Sequence, residues 1–328
     1  MSDSSSFRLG LRWKTGICVV GISLLLSGIL VPIGKGKVEM LSSSSATLCE
    51  ARIDARFRLL PGMPKPRWIV FCDFDETYFA HDRSAQNWKA KVRLEDYLTA
   101  TCPSTGILFG LVTGSSLEEV LQQMGGSQMT LLPHFIASDL GTEITYFDQN
   151  VTCRPDWTWR DRMASSGFSK EAVRRMVEAL RLKGVDLKPQ PELRVAAYKK
   201  SYFLEGRDPE GDQKALSLIR ELAAANALGL NISRCNPKAG DPEGSYDIDF
   251  IPVPSGKERV VQYLLSQNGL AAEDAYAFGE SGNDIPMLKV VRHGFLVANA
   301  TEEAKALHDQ VTGEPYAGGI LQVLEAAF

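Results

Sequence analysis

Histidine and cysteine are scarce in this chain: four and six in 328 residues. The cysteines (Cys18, Cys49, Cys72, Cys102, Cys153, Cys235) are scattered, with no Cys-x-x-Cys pair and no histidine at metal spacing. Neither a zinc site nor a disulfide framework is supported. His81, His134, His293 and His308 read as structural or surface residues. Excess charge is also lacking. A net charge of −4 sets up no field to gather nucleic acid or an anionic membrane surface. There is no internal repeat. Charge is missing altogether from Thr15 to Gly34, about 20 positions, long enough for a helix to span a bilayer. Arg8, Arg12 and Lys14 precede this run, and Lys35 and Lys37 follow it. It is expected to be a single membrane anchor or a signal segment, with a Ser-rich plastid transit peptide as the alternative. Leu41 to Ala46 and Pro61 to Pro66 resemble linker.

What is present suits an enzyme-sized globular protein: 44% hydrophobic and 23% charged residues, room for one large core or two domains. The stretch Trp68 to Cys72 is an unbroken apolar run, as expected of a strand buried on both faces of a parallel sheet. Asp73 and Asp75 follow at once. In open α/β sheets ligands bind just beyond the carboxyl ends of the strands. Two acids there repel unless a cation lies between them, and a hard, oxygen-seeking ion such as Mg²⁺ answers that need. An acidic turn explains the same residues more blandly.

Further along, Ala85 to Thr101 has helical spacing, and Ile107 to Val112 is a second buried strand. It ends in Thr113-Gly114-Ser115-Ser116, where a helix begins. A hydroxyl, a glycine and free N–H groups at a helix start make an anion site; a serine N-cap accounts for Ser115 or Ser116 but not for Thr113. Phe135 to Ala137 is a third strand, leading to Asp139, Thr142 and Glu143. The pattern then changes. A charged amphipathic helix (Ser169 to Lys183), a strand (Tyr198 to Leu204), a helix (Asp212 to Ala225) and two strands (Leu228 to Ser233, Tyr246 to Ile251) suggest a small α/β module inserted in the main sheet. The alternation in Tyr246-Asp247-Ile248-Asp249-Phe250-Ile251 predicts a half-exposed strand. Lys257 then sits in the first turn of a helix, against the dipole, which calls for a nearby anion. Another buried strand, Ala275 to Phe278, runs into Gly279-Glu280-Ser281-Gly282-Asn283-Asp284, so acids leave a strand end for the second time; Phe295 to Val297 is the last strand.

Four features at strand ends of one sheet, in this order, make a strong joint signal. The sequence resembles the haloacid dehalogenase superfamily of phosphohydrolases, in the branch with a large α/β cap that includes sucrose-phosphate phosphatase. It resembles the kanosamine-6-phosphate phosphatase type more closely still. The resemblance is carried by Phe71 to Phe79, Val112 to Ser116, Pro133 to Phe147, Asn236-Pro237 with Ala239 to Glu243, and Ser245 to Pro252. It covers the chain from about residue 67 onward. It implies an α/β, Rossmann-like core with a mostly parallel sheet, built from residues 65–149 and 248–328. The cap would span 150–247, and 1–60 would be a targeting or anchor segment with its linker. It implies a Mg²⁺-dependent phosphatase acting on a sugar phosphate, kanosamine 6-phosphate or a related hexose 6-phosphate, with sucrose 6-phosphate as an alternative. Asp73 would be the nucleophile, Asp75 the acid and base, and Thr113 and Lys257 the holders of the phosphoryl oxygens. Mg²⁺ would be bound by Asp73, the carbonyl of Asp75, Glu280, Asn283 and Asp284. Gly114, Ser115, Asp139, Thr142, Glu143, Lys199, Arg234 and Asn236 would line the sugar site, with Glu143 available to pair with an amine. A phosphosugar mutase is disfavoured by the mixed α/β insert, and a sensor with impaired catalysis is the non-enzymatic alternative. The family usually has Asp where this chain has Glu280. The longer side chain is expected to keep metal binding but weaken it.

Overall fold

The computed structural model describes residues 57–82, 84–125, 130–147, 153–191, 196–235, 237 and 240–328. In chain order the elements are β1 (Phe57–Leu59), β2 (Trp68–Cys72), α1 (Ala85–Thr105), β3 (Ile107–Val112), α2 (Leu117–Gly125), β4 (Thr130–Leu132), β5 (Phe135–Ser138), β6 (Glu143–Phe147) and β7 (Cys153–Pro155). There follow α3 (Trp157–Ala164), α4 (Lys170–Leu182), β8 (Leu187–Pro189), β9 (Lys200–Leu204), α5 (Pro209–Ala225), β10 (Leu228–Arg234) and β11 (Tyr246–Pro252). The chain closes with α6 (Lys257–Asn268), β12 (Ala275–Gly279), α7 (Ile285–Lys289), β13 (His293–Leu296), α8 (Glu302–Lys305) and α9 (Tyr316–Ala327).

Seven strands form one sheet in the order β13-β12-β2-β3-β5-β6-β7. The first five run parallel, and β6 and β7 turn antiparallel at the edge. The apolar run of β2 lies third in this sheet because both its faces are covered, and a continuous hydrophobic strand needs that cover. Val70 and Cys72 face one side with Phe109, Leu94, Leu98, Ile320 and Leu324. Ile69 and Phe71 face the other with Val260, Leu264, Met287 and Trp159. Helix α1 continues past Thr101 through Pro103 and stops at Gly106, whose φ of 78° supplies the left-handed cap.

A second, four-stranded antiparallel sheet has the order β10-β11-β9-β8. Helices α4 and α5 cover one of its faces, Val173, Met176, Leu180 and Ile219 joining Ile248 and Phe250 of β11 in one core. The alternation along β11 was expected to leave one side half exposed. Instead the strand is largely buried, because Asp247 and Asp249 face a cleft rather than open solvent. The strands of this smaller sheet lie between Leu187 and Pro252. Strand β7 belongs to the large sheet. Trp159 of α3, wholly buried, packs in the same core and donates from Nε1 to the Gly141 carbonyl at 3.0 Å.

The stretch after β1 is anchored. Leu60 is buried, and His134 links the Phe109 amide to the Pro61 carbonyl, accepting at Nδ1 (3.0 Å) and donating from Nε2 (3.0 Å). Burial lowers the pKa of His134, against the raising effect of its bonds to Pro61 and Phe109. Cys153 is disulfide-bonded, a pairing the scattered spacing did not announce; Cys72, Cys102 and Cys235 are free. Among the described residues no helix is long and apolar enough to cross a membrane. The uncharged run from 15 to 34 lies outside them.

Candidate active site

The site is assembled from loops that leave the carboxyl ends of β2, β3, β5 and β12, together with the first residue of α6. After β2 the chain is locked on both sides. The Asp73 amide donates to Phe278 O of β12 at 2.9 Å, and the amides of Tyr78 and Phe79 fold back onto Phe74 O. Phe74, Tyr78 and Phe79 are buried and stacked together. This aromatic knot makes the acid-bearing turn rigid, including Glu76 at φ 58°.

The loop after β3 is cross-tied to it. Ser115 Oγ donates to Asp75 Oδ2 at 2.7 Å, and the Ser115 amide donates to Thr113 Oγ1 at 3.0 Å. The helix start beside it is only partly open to an anion. Ser116 and Glu119 form a reciprocal capping box, Ser116 N reaching Glu119 Oε2 at 2.8 Å and Glu119 N reaching Ser116 Oγ at 3.2 Å. The chain's own carboxylate thus takes one N–H that the sequence left for a ligand.

The loop after β5 turns through three consecutive left-handed residues, Asp139, Leu140 and Gly141, at φ 51°, 58° and 70°. Two of them are non-glycine, a conformation that costs on the order of 1–3 kcal/mol each. The loop is held by Asp139 N to Ser115 O and Leu140 N to Thr113 O, both 2.9 Å. A side chain at Gly141 would meet Val260 Cγ2 at 2.5 Å, so glycine is required there.

Lys257, the first residue of α6, is 3% exposed. Its Nζ donates to Asp73 Oδ1 and to Asp284 Oδ1, each at 2.6 Å. Those are the anions its place in a first helical turn called for. Asp284 is fully buried, and its Oδ2 accepts from the amides of Glu280 (3.0 Å) and Ser281 (3.1 Å). A Cβ at Gly279 would lie 2.3 Å from that of Asp284, so only glycine lets the loop pass. Asn283 is held by Ser281 Oγ at 3.0 Å. Carboxylate oxygens of Asp73, Glu280 and Asp284 lie within 4.8 Å of one another, a set of hard oxygen donors of the kind Mg²⁺ takes. Burial pushes the Asp73 carboxyl up to about 7; Lys257 opposes this, while Asp284 and Asp75 add to it. Burial also raises Glu280, helped by Asp284 and Asp73. For Lys257 burial works against the charge, but Asp284, Asp73 and Glu280 outweigh it and raise its pKa. Three clustered carboxylates share a single lysine, so the donor set fits a divalent cation.

These groups floor a cleft of about 1160 Å³ roofed by the smaller sheet. Asp73, Asp75, Thr113, Gly114, Ser115, Asp139, Lys257, Glu280 and Asn283 line it from below, Lys199 and Arg234 from the insert. Lys199 Nζ donates to Gly114 O at 2.7 Å and lies 3.4 Å from Asp139 Oδ1, joining the two sheets across the cleft. Arg234 lies over the Tyr246 ring, with half its side chain exposed. Thr142 and Glu143 do not line the cleft, contrary to expectation. The left-handed turn keeps Asp139 over the floor, buries Thr142 and sends β6 antiparallel to β5, away from the strand ends. Asn236 lies outside the described residues. His81 is the residue the sequence reading missed. Far from being merely structural or superficial, it lines the cleft with Nε2 2.9 Å from Asp75 Oδ1. Its place six positions after the second aspartate was the only hint. The roof acids Asp247 and Asp249 were passed over too, although their alternation was noted. Asp249 accepts from Ser201 Oγ (2.6 Å) and Asn231 Nδ2 (3.1 Å), and Asp247 from Gln190 Nε2 (2.7 Å).

Residues 66–326 match the family model described as sucrose-6F-phosphate phosphohydrolase. The chain is 43% identical over 272 residues to the kanosamine-6-phosphate phosphatase of Bacillus subtilis, covering 83% of this chain and 96% of that protein. Among solved structures it resembles a haloacid dehalogenase-like hydrolase of Bacillus subtilis, with TM-score 0.67, 41% identity and coverage of 85% and 98%. It also shares its fold with the sucrose-phosphatase of Synechocystis, solved with sucrose and phosphate, at TM-score 0.63, 21% identity and coverage of 80% and 98%. The chain therefore belongs to the sucrose-6F-phosphate phosphohydrolase family of the haloacid dehalogenase superfamily, and is a phosphoric monoester hydrolase.

Proposed function

We propose that the protein is a Mg²⁺-dependent phosphatase of a hexose 6-phosphate, with an amino sugar phosphate such as kanosamine 6-phosphate as the preferred substrate. The observation that carries this is the meeting of Asp73, Asp75, Thr113 and Lys257 at the floor of one cleft, from positions spread over the chain. Asp73 attacks phosphorus and forms an aspartyl-phosphate as the bond from phosphorus to the sugar oxygen breaks. Asp75 gives its proton to that oxygen, then takes one from the water that cleaves the phosphorus–Asp73 bond. Thr113 and Lys257 hold the phosphoryl oxygens through both displacements. A Mg²⁺ ion, held by Asp73, Glu280 and Asp284 with Asn283 and the Asp75 carbonyl, would neutralise carboxylate and phosphate charge.

The sugar lies under the insert in this reading. Lys199, Arg234 and Asp139 remain its polar contacts, and the role first given to Glu143 passes to Asp247 and Asp249, which face the cleft. Two carboxylates there suit the ammonium of an amino sugar, in keeping with the substrate named for the Bacillus subtilis relative. The matched family model favours a second reading, sucrose 6-phosphate.

Phosphate release is measured on kanosamine 6-phosphate, glucose 6-phosphate and sucrose 6-phosphate, with and without Mg²⁺. The highest kcat/KM is expected on the amino sugar ester, with loss of turnover on chelation and in Asp73→Asn. Highest kcat/KM on sucrose 6-phosphate selects the second reading. Tight binding of these esters with no release supports a sensor and rejects both.

A further inference from the structure

Asp75 is gripped on both carboxylate oxygens. Ser115 Oγ holds Oδ2 at 2.7 Å, and His81 Nε2 stands 2.9 Å from Oδ1. A carboxylate only accepts, so the imidazole hydrogen lies on Nε2 in this contact. His81 is itself fixed. Its amide donates to Glu76 Oε1 at 3.1 Å, and its ring meets Phe79 edge-on at 5.5 Å. The Glu76 carbonyl is tied to Asn299 Nδ2 at 2.8 Å. The turn from Phe74 to His81 thus folds back so that its last residue braces its second. Both side chains keep some exposure to the cleft, 24% for His81 and 29% for Asp75, so the brace does not seal the acid off.

We propose that His81 is a positioning residue for leaving-group protonation: with Ser115 it fixes the rotamer of Asp75, so that the carboxyl meets the departing sugar oxygen. This rests on the phosphatase reading above. Unbraced, an aspartate this exposed samples other staggered rotamers, and a proton donor contributes only when it is within hydrogen-bond reach of its target. Each carboxyl oxygen has two lone-pair sites. One bond from Ser115 and one from His81 therefore leave a site on each oxygen for the proton that Asp75 hands over. His81 moves no proton in this scheme. It acts through Asp75 alone.

The test uses leaving groups that differ in their need for a proton. An alkoxide from a hexose 6-phosphate requires one, whereas the nitrophenolate of p-nitrophenyl phosphate departs with little help. kcat/KM is compared because it stops at ester cleavage and does not contain hydrolysis of the common aspartyl-phosphate. His81→Ala in the full chain with Mg²⁺ is expected to lose roughly 30-fold on the hexose 6-phosphate, within the ~10²–10⁴-fold that a proton donor is worth. The loss on p-nitrophenyl phosphate is expected to stay under about 3-fold, and His81→Gln, whose amide N–H can stand in for Nε2, recovers most of the difference. Should His81→Ala not fold, His81→Asn, polar but too short to reach, carries the same comparison. Equal losses on the two esters, or no loss on either, overturn the positioning role while leaving the phosphatase intact. No phosphate release by the unmodified protein from either ester overturns both.

Discussion

Thr77 Oγ1 donates to Glu280 Oε2 at 2.6 Å, joining the first acidic loop to the second across 203 positions of sequence. Thr77 is wholly buried. Glu280 therefore places its carboxylate beside Asp73 and Asp284 and satisfies a buried hydroxyl as well. The backbone of Glu280 is pinned on both sides, its amide to Asp284 Oδ2 at 3.0 Å and its carbonyl to the Thr301 amide at 2.8 Å. Glu280→Asp cannot be rescued by advance of the main chain. Its carboxylate withdraws by about one bond length, and Thr77 loses its acceptor, which costs about 1–3 kcal/mol. With the backbone pinned and Thr77 in reach of the longer side chain, the expectation drawn from side-chain length alone is reversed: Glu280→Asp is expected to give a lower thermal midpoint and roughly tenfold weaker Mg²⁺ binding by calorimetric titration, since Mg²⁺ tolerates little displacement of its ligands. Unchanged Mg²⁺ affinity and turnover would show that side-chain length at 280 is immaterial.

Lys257 balances buried charge in the resting protein. Its ammonium is shared between Asp73, 5% exposed, and Asp284, which has no exposure. Lys257→Met keeps the apolar stem but leaves the carboxylates without a counter-charge. Breaking a buried pair in this way costs about 3–5 kcal/mol. In metal-free buffer the midpoint is expected to fall by roughly 10 °C. Saturating Mg²⁺ restores part of the missing charge, so it raises the midpoint of Lys257→Met by more than that of the unmodified protein. Scanning calorimetry with and without Mg²⁺ measures both shifts, and equal Mg²⁺ increments in the two proteins would contradict this role for the lysine.

The floor of the cleft was legible in sequence because its chemistry violates local expectation. An apolar strand that ends in acids, twice, and a lysine placed against a helix dipole all demand partners, and the fold supplies each to the others. The parallel centre of the sheet was legible for the same reason that it is buried: continuous apolar runs at Trp68 to Cys72 and Ile107 to Val112 have one favourable place. What stayed hidden depends on where chains cross. Thr142 and Glu143 lie within three and four positions of Asp139, yet a left-handed turn between them takes one side of the loop to the cleft and the other away. Short edge strands such as β7 and β8, three residues each, have too few positions to show a period. The polar side of β11 looked solvent-facing because alternation gives two faces without saying what stands opposite. His81 carried no signal beyond its spacing from Asp75, since the group it braces is defined only when the turn after Phe74 closes.

The roof acid Asp247 offers a pH test apart from the metal-binding floor. Burial pushes its carboxyl up to about 7 from 3.8, with Asp249 and Asp241 adding to the effect. Between those two values the folded protein holds a proton that the unfolded chain has released. Stability therefore falls as pH rises through this window and levels off above it. Asp247→Asn keeps an acceptor for Gln190, which donates at 2.7 Å, and removes the titration. The variant and the unmodified protein are expected to be equally stable below about pH 4. The variant gains steadily as pH rises, reaching on the order of 1–2 kcal/mol above pH 7, less than the full shift would give because part of the strain relaxes. Urea unfolding at pH 4, 5.5 and 8 resolves this. A difference that is flat with pH would mean that Asp247 is ionised in the fold, held so by a partner from across the cleft.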